Sequence, residues 1–211
     1  MSATRRLPRI AAVTTALLVG TLTACTSSAT AAAAGPQLLW PNQDGGGQVV
    51  VPAAKPDAPY SFGSLILCVD RPGTVTIERV TVKTAGPGIH LDAFAVRPNP
   101  YLRGQQALGE ADASLTASGF APERLQGVDS TCLTQKEQNT PSTWAAAAEK
   151  GHGGVELAMQ YSSTATKTQT AGGIVVQYLS GNHQETLTIP FAVTLCAADD
   201  HTDQCPKPNN G

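Results

Sequence analysis

The chain has 211 residues, 14 basic and 16 acidic side chains, a formal net charge of −2 and only 5% aromatic residues. That balance offers no electrostatic footprint for DNA or RNA and little material for base stacking, so no nucleic-acid partner is expected. Charged residues make up 14% of the chain, too few for a coiled coil or for disorder driven by charge.

The N-terminus carries an address. Arg5, Arg6 and Arg9 precede an apolar run over residues 10–22, and no acid stands among them. Spanning the roughly 30 Å core of a bilayer takes about 20 residues, so this run is too short to be a membrane helix. A short apolar core behind positive charges has the form of a signal peptide, here residues 1–24. Its last residues, Leu22-Thr23-Ala24-Cys25, resemble the lipobox of bacterial lipoproteins. The resemblance implies cleavage between Ala24 and Cys25, diacylglyceryl transfer to the Cys25 thiol, and a lipid anchor at the extracytoplasmic face of the cell membrane. An ordinary signal-peptidase cut within residues 29–34 is the alternative. Cleavage before Cys25 leaves 11 basic against 16 acidic residues, a net charge of −5. Charge would then not hold the protein on an anionic membrane, and the lipid must.

Residues 25–47 read as the lipidated cysteine and a flexible tether, with the folded domain over residues 48–211. Residues 26–35 are rich in Ser, Thr and Ala, and Gly45-Gly46-Gly47 forms a glycine triplet. Between them, Leu38-Leu39-Trp40-Pro41 is apolar for a linker and is expected to pack on the domain's edge.

From Tyr60 the hydrophobic period is two. Residues 64–70 (SLILCVD) predict a strand buried on both faces. Arg71-Pro72-Gly73 is a turn signal. In residues 74–83, Val75 and Ile77 lie on one face but Val80 and Val82 on the other. A regular strand cannot swap faces, so a bulge is predicted near Glu78-Arg79. Gly86-Pro87-Gly88 then leads into a shorter strand over residues 90–97.

Residues 98–151 have no sustained period and predict a long, partly irregular insertion pinned by Cys132, with a two-turn helix over residues 144–150 (WAAAAEK). Alternation resumes at Val155, Leu157, Met159 and Tyr161, and continues over residues 174–179 and 186–195. In the last of these strands Leu187, Ile189, Phe191, Val193 and Leu195 share a face. Phe191 is therefore expected in the core and Thr188 in solvent. Pro190 lacks the N–H for a ladder, which predicts a sheet edge or a bulge at that point. With residues 48–51 as a seventh strand, the pattern predicts an all-β, antiparallel two-sheet sandwich of immunoglobulin-like type. A small barrel is the alternative.

With Cys25 lipidated, four cysteines remain in an oxidising location. Cys196 and Cys205 enclose a short polar loop, which leaves Cys68 to pair with Cys132 and staple the insertion to a strand. No CxxC spacing supports a zinc site. Asp199, Asp200, His201 and Asp203 crowd one loop but lack the glycine and closing glutamate of a calcium loop, so no metal and no cofactor are expected.

His90 and Asp92 stand two apart, as a dyad or a structural pair on one strand face would. There is no G-x-S-x-G elbow and no S-x-x-K pair, and no catalytic residue is assigned. Trp40, Tyr60, Tyr101 and Trp144 would bind sugar if they formed an exposed row. Residues 172–196 resemble domains of secreted actinobacterial proteins, a likeness that implies no activity. The sequence thus predicts a non-catalytic binding module whose partners are the membrane, through its anchor, and an envelope protein. A cell-envelope enzyme or a sugar binder is the alternative.

Overall fold

The runs of β-branched residues condense into two facing sheets, because each strand has an apolar face to bury. A computed structural model describes residues 35–41, 46–122, 125–200, 202, 204 and 205. In it the strands are β1 (Leu38–Leu39), β2 (Gly47–Val51), β3 (Tyr60–Val69), β4 (Val75–Ala85), β5 (Ile89–Pro98), β6 (Gln126–Val128), β7 (Val155–Ser163), β8 (Gln169–Ser180) and β9 (His183–Leu195). One sheet has the order β1-β3-β7-β5 and the other β2-β9-β8-β4-β6. All-β architecture with two sheets is what the alternation predicts.

Two features differ from that expectation. The sheets are not wholly antiparallel, since β2 runs parallel to β9, with Gly47 opposite Phe191 and Val51 opposite Leu195. The fold also begins before residue 48. Leu38 and Leu39 pair with Val69 and Cys68, and Leu38 and Trp40 are core residues. The segment expected to pack on an edge does so as a strand, and Tyr178 Oη accepts a hydrogen bond from Leu38 N at 3.3 Å. Cys25, residues 1–34 and residues 42–45 lie outside the described residues.

Bulges set which side chains enter the core. Ile77 pairs with Tyr178 and Arg79 with Gln177, so Glu78 is an extra residue. That insertion lets Val75, Ile77 and Val80 all be buried, as the change of phase requires. In β9, Gly172 pairs with Ala192 and Ile174 with Ile189, so Gly173 alone faces Pro190 and Phe191. The pairing with β2 begins only at Phe191. Pro190 thus occupies a bulge at the point where β9 stops being an edge, and its missing N–H costs no ladder bond. The same bulge modifies the five-residue alternation. Ile189, Val193 and Leu195 are buried, but Leu187 and Phe191 are only half-buried. Phe191 still packs on the core, stacked on Phe62 at 5.2 Å.

The insertion between β5 and β7 holds a 3-10 turn (Pro100–Arg103), β6, α1 (Gln135–Gln138), a second 3-10 turn (Pro141–Thr143) and α2 (Trp144–Glu149). Apart from β6, which joins the edge of β4 in the other sheet, it packs on the outer face of the β1-β3-β7-β5 sheet. Leu115 and Phe120 are buried there against Ala95 and Ala158. Strand β7 is therefore covered on both faces, and Glu156, whose alternation points away from the sandwich core, is 0% exposed.

A buried carboxylate costs several kcal/mol unless its lone pairs are filled, and here they are. Glu156 Oε1 accepts from Ser64 N (2.9 Å) and Leu108 N (2.7 Å), and Oε2 accepts from Arg97 Nε (2.6 Å). The Arg97 guanidinium lies 4.5 Å over the Phe120 ring and donates to Gln106 O. Gly63 and Ser64 form a bulge opposite Ala158, which turns Ser64 N toward the carboxylate. A side chain on Gly63 would collide with Glu156 Oε1.

Two sets of denaturant melts follow. Ile189→Ala should cost about 2–5 kcal/mol and Thr188→Ala about 0.5 kcal/mol or less, with Phe191→Ala between them because its ring is half-buried. Glu156→Ala strands three donors and should cost about 3–5 kcal/mol, with the amides of residues 99–120 losing exchange protection first. Equal losses at positions 188 and 189 would contradict this sheet placement.

Candidate functional site

A concavity lies where the insertion meets the end of β3. Its floor is Ile66 and Cys68, on the outer face of that strand. Cys68 is bonded to Cys132, with Cα atoms 4.9 Å apart. Backbone bonds reinforce the staple: Val69 N donates to Ser130 O and Cys132 N to Val69 O. Closing a loop over a sequence separation of 64 stabilises the fold by about 4 kcal/mol in the chain-entropy treatment. The second bridge joins Cys196 to Cys205. Both pairings are those the spacing predicts.

Local sequence chemistry builds the walls. Asn99 Oδ1 accepts from Tyr101 N, opening the first 3-10 turn, while its Nδ2 donates to Gly153 O at 2.7 Å. Gly154, at φ +76°, presses so close to Leu67 O that a Cβ would collide with it, so only glycine lets this loop lie flat on β3. Thr134 and Glu137 form a capping box at the start of α1. The Glu137 carboxylate also meets His152 Nδ1 at 3.1 and 3.2 Å. Trp144 Nε1 donates to Glu137 O at 2.9 Å, which fixes the indole.

The resulting pocket has a volume of about 290 Å³. Trp144, Tyr101 and Gln138 stand around it with Leu102, Leu133 and Pro41. Among the described lining residues there is no carboxylate, imidazole, amine or guanidinium. Hydrogen bonds to the Thr134 backbone and hydroxyl, and then to His152, hold Glu137 down at about 2. Burial, and then the charge of Asp112, raise Glu110 above the ordinary range. Neither carboxylate lines the pocket.

The remaining sequence candidates fall elsewhere. His90 and Asp92 are both exposed on β5. Leu91 pairs with Tyr161 and Ala93 with Gln160, so Asp92 is itself a bulged residue. The bulge interrupts the alternation expected to place His90 and Asp92 on one face, and no bond joins them. Of the four aromatics, Trp40 and Tyr60 are buried in the core, so no row of four forms. Tyr101, 40% exposed, and Trp144 come together in the pocket. Asp200 accepts a hydrogen bond from Thr168 Oγ1 and another from Thr202 N at 3.3 Å. The first of these bonds ties the loop after β9 to the turn after β7, and the second is internal to the loop. His201 and Asp203 lie outside the described residues. Sequence reading missed Asn99, Gln138 and Glu137, whose roles depend on contacts made only after the insertion folds back.

The depressed Glu137 value fixes a pH dependence. A carboxylate whose folded value lies below its usual 4.5 stabilises fully above about 4.5, and that contribution is lost as pH falls through the folded value. Amide-exchange protection in α1 should therefore hold above about pH 4.5 and fall toward about 2. Glu137→Gln should lower it at neutral pH and remove that acid limb.

The chain matches no protein-family model and no curated protein, so the geometry of the sandwich and its insertion is what bears on function.

Proposed function

We propose that the protein is a lipid-anchored module at the extracytoplasmic face of the cell membrane, binding a ligand without transforming it. The observation that carries this reading is the pocket itself. Its walls are held by a disulfide and three side-chain hydrogen bonds, and its described lining holds no carboxylate, imidazole or amine and only one phenol, that of Tyr101. The two disulfides suit an oxidising compartment, and the lipobox-like Leu22-Thr23-Ala24-Cys25 supplies the anchor. Tyr101 and Leu125 are the only exposed large hydrophobics among the described residues. Two such residues make a poor flat patch for a protein partner, which favours the concave site.

The sandwich itself is read as immunoglobulin-like. The order β1-β3-β7-β5 follows the A-B-E-D sheet and β4-β8-β9 the C-F-G sheet. On this assignment the pocket-bearing insertion joins the D and E strands.

Two measurements test the reading. In detergent phase partitioning the wild-type protein should enter the detergent phase and Cys25→Ala should remain in the aqueous phase. Equal partitioning would remove the anchor. In an NMR screen of small neutral and charged ring compounds, hits should move the signals of Tyr101, Trp144 and Gly153. Hits that move only signals elsewhere would remove the pocket.

A further inference from the structure

The pocket combines two kinds of surface. Trp144 and Tyr101 present flat apolar rings, while the Tyr101 hydroxyl and the Gln138 side-chain carbonyl accept no hydrogen bond from the described residues. Asn99, buried to 5% exposure, adds a side-chain amide already held in place by Gly153 O and Tyr101 N. At about 290 Å³ the space lies at the lower end for small-molecule sites, which suits a single ring better than a drug-sized ligand.

We propose that this pocket binds one uncharged pyranose ring, stacked on Trp144 and Tyr101 with its hydroxyls toward Gln138 and Asn99. The inference rests on the binding-module reading above and gives it a substrate class.

Three arguments select that ring. A pyranose carries apolar C–H faces and polar hydroxyl edges, and the lining supplies two aromatic rings and aliphatic side chains for the former and the amides of Asn99 and Gln138 with the Tyr101 phenol for the latter. A purely apolar guest, such as a phenyl side chain of a peptide, would desolvate those polar atoms without replacing their hydrogen bonds, which costs affinity. A charged sugar acid or aminosugar would enter a site whose described lining offers no counter-charge, which disfavours it for the same reason. The walls also need little ordering on binding. Trp144 is fixed through Glu137 O and the floor through Cys68–Cys132, so a weak single-ring ligand loses little to reorganisation.

The test is an NMR titration of the full-length Cys25→Ala chain, following the Trp144 indole and Tyr101 signals. The probes are methyl β-glucoside, methyl α-mannoside, methyl β-galactoside and N-acetylglucosamine. Cyclohexanol serves as a ring with a single hydroxyl and N-acetylphenylalaninamide as the peptide mimic. At least one of the sugars should shift both signals saturably, and more tightly than cyclohexanol. Tyr101→Ala should weaken that sugar about tenfold, and Gln138→Ala should weaken the sugar but not cyclohexanol. Tyr101 is preferred to Trp144 for substitution because it is 40% exposed, whereas Trp144 also ties α2 to Glu137. If cyclohexanol or the peptide mimic moves these signals and no sugar does, the sugar proposal falls while the binding pocket stands. If no probe moves them, the sugar proposal falls, and the wider screen of neutral and charged rings decides the pocket.

Discussion

The insertion depends on one buried negative charge. Glu156 sits at 0% exposure in a strand that would otherwise have one face in water, and each of its oxygens is used. Its three partners come from the bulge of β3, from the start of the insertion and from β5. A hydrophobic residue at this position would bury as well but would leave Ser64 N and Leu108 N without acceptors. The carboxylate therefore specifies where the insertion lies more than it stabilises the sheet beneath it. The glycine at position 63 and the Phe120 ring under Arg97 belong to the same arrangement, since each makes room for, or covers, part of this ion pair.

From that fixed point the insertion is fastened in sequence. Leu115 and Phe120 bury against the sheet, β6 joins the edge of β4, and Cys132 returns to β3. The helices α1 and α2 have four and six residues, too short to persist alone. Capping by Thr134, the Glu137–His152 contact and the indole bond to Glu137 O hold them. The pocket is what remains between these pieces and the disulfide. Its rigidity thus comes from outside the sheets, through contacts that close over the face a two-layer sandwich leaves bare.

Features governed by local periodicity were legible in the sequence. The phase change around Glu78, the bulge and edge at Pro190 and the helix beginning at Trp144 follow from the order of apolar and turn residues, while the cysteine pairings follow by elimination once the short loop between Cys196 and Cys205 is closed. Features that require distant segments to meet were not. Strands β1 and β6, at two and three residues, are too short to show a period. Glu156 alternates like a solvated residue because nothing near it in sequence reveals the layer that covers it. Phe191 follows an apolar pattern, and although Pro190 announces an edge or a bulge, only the register with β8 shows that Phe191 is the residue displaced from the centre. The pocket illustrates both limits, since Tyr101 and Trp144 stand out by residue type while Asn99 and Gln138 look like ordinary loop residues.

The parallel pairing of β2 with β9 also has a kinetic consequence. Among the described residues β9 is the only strand beside β2, and Gly47 finds Phe191 across about two thirds of the length of the chain. A ribosome delivers β2 well before β9, so among the described strands the first strand of the five-stranded sheet has no neighbour until β9 has been made. Loop-closure entropy over that separation makes the pairing a late event even in a finished chain. The five-stranded sheet is therefore closed late, by β2 docking on a strand that the other sheet does not need.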